Sequence, residues 1–555
     1  MASIVTVNVS LQLAPEPETL QRTGALISQG GTITAPGTSS LLTQLSDLTP
    51  LLTLFKTITS ITWLSSTATV TTAAPHGFTT SDTLWLTIQG AAPAGYNGNW
   101  FCTVTGASQF TFALATNPGP ETSPGTYAPL SVTELTQMAT TYFSQGSGVG
   151  VFVLELGAGG PNDGIASLSS YITANPNTQY IDGAVGFYYA YLLPREWDGN
   201  NANLLNLIAQ YESPTSKTYF IVTTNLANYQ IYTSLMKDVV SMIEAPAYGQ
   251  WNQNSLTAIS YSGSTVTATT TTAHGILVGQ WFQIQGVSPV GYNGWAQALL
   301  GTAGSTILYA LSSNPGAESV LGTLEASLYV SAGVASGEFS LAADFQHILN
   351  YNPSSSNKVT PNAFAFLFGV TPFPTQGNSA LLTTLQQNNV NYIGTGAEGG
   401  ISNTIMLWGT TEDGNDFQVW YSIDWIQINA DIDISNTVIN GSNNPINPLY
   451  YNQPGINTLQ ATVTSLVNTG VAYGLVLGLP VQTELSPTDF DAALSAGTYA
   501  GLSVINAVPF AVYTQLNPSD YAIGRYAGLT LVYTPQRGFI NIVFDVNASF
   551  FPSQV

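Results

Sequence analysis

The sequence predicts a multidomain protein of mixed α+β and α/β class, with an α/β body interrupted by two duplicated small all-β modules. One observation is a stretch, Gly-Tyr-Asn-Gly, that occurs twice in similar surroundings. Another is the alternation of strand and helix patterns outside those surroundings, and the third is the length. A chain of 555 residues is too long for one ordinary domain, and 44% hydrophobic residues supply several cores.

The duplicated module covers residues 58–128 and 255–327 and contains "AAPAGYNGNW" in the first copy and "VSPVGYNGWA" in the second. In both copies Ile-Gln-Gly begins seven residues before Gly-Tyr-Asn-Gly. Short runs of Thr, Val, Trp and Phe between Gly, Pro and Asn are typical of a small sandwich or barrel. Two separated copies do not form a solenoid, so we interpret them as insertions into a host domain. Each Gly-Tyr-Asn-Gly predicts a tight turn with positive φ and a tyrosine packed beneath it.

The host between the two modules alternates strands with helices. The strand patterns are "GVFVLEL", "YIDGAVGFYYAYLLP" and "KTYFIVTTN", and the helical patterns are "LTQMATTYFSQG", "GIASLSSYITANP" and "ANLLNLIAQYES". This alternation predicts βαβ units on a largely parallel sheet.

The region after the second module begins with two amphipathic helical patterns, "SGEFSLAADFQHILNY" and "NSALLTTLQQNNVNYI". We expect "FQVWYSIDWIQINADIDI" to begin a region that mixes extended and helical pieces. "GINTLQATVTSLVNTGVA" predicts a further helix, and strands are expected to close the chain.

Charged residues make up only 7% of the chain, whereas about 25% is usual. A surface with so few charges suits burial against other copies of the same chain, although an extracellular β-rich protein is an alternative. Eight basic residues against 30 acidic ones give a net charge of −22. This excludes binding to nucleic acid and polybasic attachment to a membrane, because both need clustered Lys and Arg.

A single cysteine, Cys102, excludes a disulfide framework and a cysteine-based zinc site. The N-terminus lacks the basic and apolar regions of a secretory signal. The most apolar window, residues 470–480, is shorter than the roughly 20 residues that cross a bilayer. We therefore expect a soluble protein made in a cytoplasm, with no membrane anchoring.

Both chain ends carry an alternating apolar pattern that predicts one half-buried strand each. One lies in "VTVNVSLQL" near the start and the other in "GFINIVFDVNASFF" near the end. Such a terminal strand pairs either with the chain's own sheet or with a sheet edge on another molecule.

Motifs that carry chemistry are missing from the sequence. It contains no Walker loop and no Gly-x-Ser-x-Gly elbow, and Pro161 interrupts the Gly-rich stretch at 157–164. His76 and His274 occupy equivalent turns of the two modules, so we interpret them as structural. His347 is expected to be a partly buried, hydrogen-bonded histidine on a helix. We predict no enzyme, no catalytic or metal-binding residue and no cofactor.

Acidic pairs are the exception that we keep open, because a glycosidase needs only two carboxylates. Glu412, Asp413 and Asp416 lie in "TTEDGNDF", which lacks the spacing of a calcium loop and is interpreted as a polar turn. Asp431 and Asp433 would share one face of a strand, as a calcium or acid/base pair does. With 30 acidic residues in the chain such pairs arise easily.

Three segments resemble tail sheath proteins of contractile-tailed bacteriophages (myophages). They are "GFYYAYLLPREWDGNNANLLNLIAQYES" (186–213), "WYSIDWIQINADIDISNTVINGSNNPINPLYYNQPGINTLQATV" (420–463) and the "GFINIVFDVNASFF" end. The resemblance covers most of the chain outside the two modules, in pattern rather than in a diagnostic motif.

The resemblance implies a structural protein of the virion tail that assembles in the cytoplasm of the host bacterium. Sheath subunits form hexameric rings around a tail tube protein, meet baseplate and tail terminator proteins, and contract to drive the tube through the host envelope. Their terminal arms add strands to neighbouring subunits. The matching arm positions here are Val5, Val7, Val9, Leu11, Ile540, Ile542, Phe544 and Val546.

The resulting domain prediction is an arm and start of the body, a β module, an α/β domain, a second β module and a C-terminal sheath-like α/β domain with its arm. Their bounds are 1–57, 58–128, 129–254, 255–327 and 328–555. Another virion component, such as a tube or baseplate protein, is an alternative function. A second alternative is a glycan-binding decoration protein that stacks sugars on Tyr96, Trp100, Tyr292 and Trp295.

Overall fold

The computed structural model of the chain describes residues 23–114, 117–146, 148–175, 188–198, 202–213, 216–224, 228–232, 236–244, 252–274, 276, 278, 281–326, 338–373, 379–398 and 401–540. The protein is a mixed α/β multidomain structure with several sheets. Within the described ranges no helix is both long and apolar enough to cross a bilayer.

The strands within these ranges are β1 (Gly24–Ser28), β2 (Ser39–Leu42), β3 (Lys56–Leu64), β4 (Thr67–Thr72), β5 (Thr83–Gln89), β6 (Gly98–Gly106), β7 (Gln109–Ala113), β8 (Thr126–Pro129), β9 (Val151–Glu155), β10 (Ala190–Leu192), β11 (Tyr219–Thr224), β12 (Val239–Ile243), β13 (Asn252–Ser262), β14 (Thr265–Thr270), β15 (Trp281–Gln285), β16 (Gly294–Gln297), β17 (Thr306–Ala310), β18 (Thr323–Ala326), β19 (Asn391–Glu398), β20 (Ile401–Leu407), β21 (Val476–Leu477), β22 (Pro480–Thr483), β23 (Ser503–Ala507), β24 (Leu529–Val532) and β25 (Thr534–Pro535).

The α-helices within the same ranges are α1 (Leu130–Ser144), α2 (Pro161–Ala174), α3 (Ala202–Tyr211), α4 (Leu341–Leu349), α5 (Ser379–Gln387), α6 (Phe417–Ser442), α7 (Gln453–Ala472), α8 (Pro487–Ser495), α9 (Phe510–Leu516) and α10 (Pro518–Ala522).

The central sheet has the strand order β2-β9-β1-β10-β11-β12-β19-β20. Its neighbours from β9 to β19 pair in parallel, whereas β2 and β20 pair antiparallel at the two edges. Every residue of β1, β11 and β12 is buried. Continuous apolar runs of this kind form strands that are covered on both faces. The predicted largely parallel sheet is confirmed.

The two faces of this sheet are covered by different helices. Alternate residues point to opposite faces, so Leu26 joins a core with α1, α4, α6 and α7, whereas Ile27 joins a core with α2 and α3. Val153 and Leu154 of β9 divide in the same way. The body is therefore a sheet between two helical layers.

The carboxylate of Glu155 ties the end of β9 to the loop that follows β1. It accepts hydrogen bonds from the Ser28 hydroxyl (2.6 Å), the Gly30 amide (2.6 Å) and the Gly157 amide (2.7 Å). The Thr32 amide and hydroxyl donate to it at 3.0 and 2.8 Å. The carboxylate is buried, so it loses its hydrogen bonds with water, and these five hydrogen bonds from protein donors take their place.

The segment inserted between β1 and β9 is a closed barrel with the order β3-β4-β7-β6-β5-β8. The segment between β12 and β19 forms a sheet with the order β16-β15-β18-β13-β14-β17. When the six strands are numbered from the start of each segment and the order is followed around a ring, the barrel and the second sheet have the same strand order. The difference is that β6 pairs with β7 in the barrel, whereas the second sheet ends at β16 and β17.

The Gly-Tyr-Asn-Gly turns behave alike in both segments. Tyr96 and Tyr292 are buried, and their hydroxyls donate to Gly119 O at 2.9 Å and Gly316 O at 2.7 Å. The side chain of Asn97 bonds to both the amide and the carbonyl of Ala91. The second glycine of each turn has positive φ, 140° and 135°. The predicted turn with a tyrosine packed beneath it is confirmed.

The expectation of mixed extended and helical pieces after residue 417 is wrong, because residues 417–442 form the single helix α6. Its Ile, Val and aromatic residues favour strands when considered locally. However, Phe417, Tyr421, Trp425 and Ile428 recur at helical spacing and are all buried, and packing of one face overrides local propensity. The neighbouring helix α7, predicted from the sequence, is confirmed.

We expect Glu155→Gln to destabilise the α/β body by about 3 kcal/mol, because the amide turns an NH2 group towards main-chain and hydroxyl donors. Calorimetric unfolding of the full chain measures this as a lower transition temperature. Glu318→Gln, at an exposed position, is the matched control and should leave the transition unchanged. Equal transitions for the two variants would show that the Glu155 carboxylate is not a structural tie.

Candidate assembly surface

The last described residues run between the central body and the helices α6 and α7. β25 pairs antiparallel with β21, and the Gln536 amide donates to Leu475 O at 2.9 Å. The Arg537 guanidinium then donates to Asn415 Oδ1 at 2.8 Å. These contacts fix the position of the last described residues.

Beyond that place the predicted arm begins. Phe539 is 76% exposed, and Ile540 is half-buried and lies outside any strand. The remaining predicted arm residues, Val5, Val7, Val9, Leu11, Ile542, Phe544 and Val546, lie outside the described residues. Inter-subunit strand addition therefore stays a prediction.

The surface near the exit is apolar. Leu477 and Leu479 are 42% and 67% exposed. A separate apolar area lies on the turn between α6 and α7, at the other end of α7, where Ile446 and Tyr450 are exposed. Residues 434–483, which include this turn, contain no charged residue at all. An apolar and uncharged surface of this kind is typical of a protein interface.

The crevice in which doubly wound sheets bind ligands is filled by the protein's own side chains. Such a crevice lies where connections from adjacent strands run to opposite sides, which here is between β1 and β10 because β1 leads to β9 and β10 leads to β11. Trp197 is fully buried there, and its indole donates to Gln29 Oε1 at 2.5 Å. Gln29 in turn donates to Gly160 O at 2.9 Å. The residues that follow β1 and β10 thus pack against each other.

Arg195, which follows β10, lies in a buried acidic cluster. Its Nε donates to Glu244 at 2.8 Å and its Nη1 lies 3.6 Å from Glu134. Burial raises the pKa of Glu134, the neighbouring Glu196 carboxyl raises it further, and Arg195 opposes the rise. The guanidinium also lies 4.0 Å over the Phe339 ring. The side chains of the bonded pairs are at most 14% exposed, so the cluster joins α1, β10 and β12 internally.

Sequence reasoning missed this cluster, because its members lie far apart along the chain and follow no motif. The one available signal was that Arg195 is among very few basic residues in a chain with 30 acidic ones. A lone arginine in such a chain is a natural partner for buried carboxylates.

The acidic residues that the sequence singled out are not brought together as a catalytic pair. Glu412 is fully buried and accepts a hydrogen bond from the Ser241 hydroxyl, and burial raises its pKa. Asp416 is also buried and caps α6 by accepting from the Gln418 amide at 2.8 Å. The predicted polar turn is present at residues 411–415. Its carboxylates Glu412 and Asp416 are buried, and Asp416 holds the start of α6.

Asp431 and Asp433 lie on α6, not on a strand. Residues two apart on a helix point to different faces, so the predicted pair on one strand face is wrong. Among the described residues no group of three or more His, Cys, Asp or Glu is placed to hold a metal ion.

The histidines of the two β segments are structural, as predicted. His76 Nδ1 accepts from the Phe78 amide at 3.1 Å, and His274 Nδ1 accepts from the Ile276 amide at 3.0 Å. His347 differs from the expectation, because its Nε2 is buried without a hydrogen-bond partner in the described part of the chain. Burial lowers the pKa of His347 to about 4.

Two of the four aromatic residues of the glycan alternative, Tyr96 and Tyr292, are buried and cannot stack on a sugar. Tyr96 and Tyr292 are 1% and 3% exposed, so a sugar cannot reach their rings. Trp100 stacks on Phe112 with centroids 4.6 Å apart. The side chain of Trp295 lies outside the described residues.

A cavity of about 380 Å³ lies between the barrel and the loops after β1 and β9. Its charged lining groups are engaged locally: Lys56 Nζ donates to His76 O at 3.0 Å, and Asp82 accepts from the Thr79 amide at 2.9 Å. These bonds shape the lining and leave no convergent set of groups for chemistry.

Asp424 of α6 is a fully buried acidic residue that links two elements. Its Oδ2 accepts from the hydroxyls of Tyr189 at 2.9 Å and Tyr219 at 2.8 Å. Burial raises the pKa of this carboxyl to about 6, against the opposing charge of Lys237 and the two hydroxyls. Asp424 thereby fastens α6, and with it the apolar turn, to the central sheet.

Comparison with known proteins finds no matching family model, and no curated protein matches the chain. Among solved structures the chain is similar to a sheath tail protein from Listeria innocua, at 10% sequence identity and a TM-score of 0.32. The similarity covers 82% of this chain and 85% of that protein. A likeness at this level establishes neither the family nor the function of the chain.

We expect Asp424→Asn to flatten the dependence of stability on pH. A folded-state pKa of about 6, above the ordinary 3.8, makes the folded chain hold this proton more tightly. Stability from this group is therefore present at low pH and lost as pH rises through about 6. The loss of about 3 kcal/mol between about pH 4 and pH 7 should disappear in the variant.

Unfolding midpoints measured across that pH range test this expectation. Asp491→Asn, at an exposed position, is the control and should retain the slope of the unmodified chain. An unchanged slope in Asp424→Asn would mean that the carboxyl is ionised in the folded chain at every pH tested.

Proposed function

We propose that this chain is the structural subunit of a contractile bacteriophage tail sheath. Subunits polymerise around the tail tube through terminal arms and contract to drive the tube through the host envelope. One observation carries the proposal. The last described residues lie beside the exposed Leu477 and Leu479, and the sequence continues into the alternating apolar segment that starts at Ile540.

Strand addition suits this exit. The sheet of β21 and β25 has two strands in the described part of the chain, and a two-stranded sheet is marginal alone. A strand from a neighbouring subunit would satisfy the main-chain groups that such an edge leaves unpaired. The residues proposed for exchange are Ile540, Ile542, Phe544 and Val546 at this end, and Val5, Val7, Val9 and Leu11 at the other.

The low fraction of charged residues favours a subunit whose surface packs against its neighbours in two arrangements, one in the extended sheath and one in the contracted sheath. Moving few charges out of water lowers the desolvation penalty of each interface. The contraction itself is then a transition between two packings of rigid subunits that stay linked by their arms. The buried cluster of Arg195 and the tie at Asp424 keep the body rigid during that movement.

The proposed partners follow from the same assembly. They are other copies of this chain in hexameric rings, the tail tube protein, and the baseplate and terminator proteins at the two ends of the tail. We assign the uncharged turn between α6 and α7 to the inner side, and the two β modules at 58–128 and 255–327 to the outer surface. The proposed location is the virion tail, assembled in the host cytoplasm.

Deletion of residues 538–555 is expected to abolish polymerisation and leave a folded subunit, because the body up to Gln536 keeps its contacts. Deletion of residues 1–13 should have the same effect. Negative-stain electron microscopy checks for hollow tubes or rings, and circular dichroism checks the fold. Tubes formed by either deleted form would overturn the assignment of that arm.

A matched pair of substitutions tests whether polymerisation depends on the apolar face of the arm or only on the length of the arm. Phe544→Ser removes an apolar residue and should reduce polymer yield at least tenfold, whereas Asn547→Ser on the polar face should leave the yield unchanged. Sedimentation of polymer from monomer provides the measurement. Equal yields for the two variants would contradict strand addition through this face.

A further inference from the structure

Residues 364–368, with the sequence Phe-Ala-Phe-Leu-Phe, extend the central sheet beyond β20. Phe366 bridges Ile405 in antiparallel fashion. The Leu367 amide donates to Thr404 O at 3.0 Å, and the Met406 amide donates to Ala365 O at 2.9 Å. In this pattern the amide and carbonyl of Phe366 itself point away from β20. Neither group has a main-chain partner among the described residues, so they form an edge that is open in this part of the chain.

Three phenylalanines along this edge are exposed, and we name Phe364, Phe366 and Phe368 the phenylalanine row. Their exposed fractions are 43%, 59% and 58%, whereas Leu367 between them is 2% exposed and lies in the core. The Gln145 side chain fixes the end of the row by bonding the Phe368 amide at 2.8 Å and carbonyl at 2.6 Å. An apolar open edge held in place is a template for another strand.

The C-terminal segment leaves the body at the other end of the row. Gly538 lies against Pro361, where a Cβ on the glycine would be 2.4 Å from the proline Cβ. Pro361 precedes Phe364 by three residues. The contact of Arg537 with Asn415 holds the chain at the same place. Phe539 therefore starts beside the row.

The segment that follows matches the row in pattern and reach. Ile540, Ile542, Phe544 and Val546 alternate with other residues, so one face of an extended strand is apolar. Phe364 has a φ of 65° and lies in a turn, so the row spans at most roughly 13 Å, whereas residues 539–546 reach about 23 Å when extended, at about 3.3 Å per residue. The segment is long enough to cover all three rings.

We propose that residues 541–548 of the same subunit cover the phenylalanine row before assembly, as a strand beside Phe366. The row then acts as a latch, by which we mean that it binds the C-terminal arm of its own subunit until the arm pairs with a neighbouring subunit. The inference that the segment covers the row rests only on the open edge and on the position of the last described residues. The inference that this cover delays assembly rests on the proposed function, in which the segment passes between subunits.

Disulfide trapping in the full-length, dilute protein tests the latch. Phe366→Cys is combined in turn with Ile542→Cys, Phe544→Cys and Val546→Cys, and the native Cys102 is buried. At least one pair should form an intramolecular disulfide in the monomer. Leu300→Cys, at a position 87% exposed in the second β segment, replaces Phe366→Cys in the control and should form none.

Three outcomes would overturn the latch. They are the absence of a monomeric disulfide from all three pairs, equal trapping by the Leu300 control, and disulfides found in dimers only. The last result would mean that a second copy occupies the row.

Assembly kinetics provide an independent measurement. Phe366→Ser should release the arm and shorten the lag before polymerisation several-fold, and Leu300→Ser should leave it unchanged. An unchanged or longer lag would contradict the latch. If the unmodified chain never polymerises, the proposed function fails, and the disulfide result alone decides whether the row is covered.

Discussion

The rest of the structure depends on the place of β1 between β9 and β10. β1 comes from residues 24–28, whereas its neighbours come from 151–155 and 190–192. A whole barrel is therefore looped out between strands that lie side by side. The five donors to Glu155 close this junction, because they bind the loop after β1 to the end of β9. Both helical layers are built on the sheet that this pairing holds together.

Several charged residues of the described chain serve as internal ties. Asp424 joins α6 to the tyrosines beside β10 and β11, and Arg195 joins α1, β10 and β12. Removing one partner of such a tie leaves an unpaired buried charge, which is strongly destabilising. A rigid body with a low fraction of charged residues suits a subunit that exchanges neighbours. The proposed function and the latch both draw on this combination.

The local sequence pattern predicted most elements of the α/β body and the repeated turn. It failed where burial against distant residues determined the secondary structure or the exposure of a side chain. Residues 417–434 have strand-favouring side chains, yet helical spacing of buried positions makes them a helix. That change also separates Asp431 from Asp433. Tyr96 and Tyr292 were candidates for sugar stacking, but their rings fill the cores beneath the turns. Every residue of the stretch 364–368 is apolar, so the sequence alone does not separate the exposed rings of the phenylalanine row from the buried Leu367.

The sequence by itself determined the periodicities, and through them the class of the fold, because side-chain direction repeats every 3.6 or 2 residues along the backbone. It also determined the low charge and the apolar pattern of the chain ends. Only the tertiary structure decided which polar groups are buried together and which apolar groups stay outside. The cluster at Arg195, the cap at Asp416 and the exposure of Phe366 all arise from contacts between residues distant in the chain. Local periodicity carries no information about such contacts.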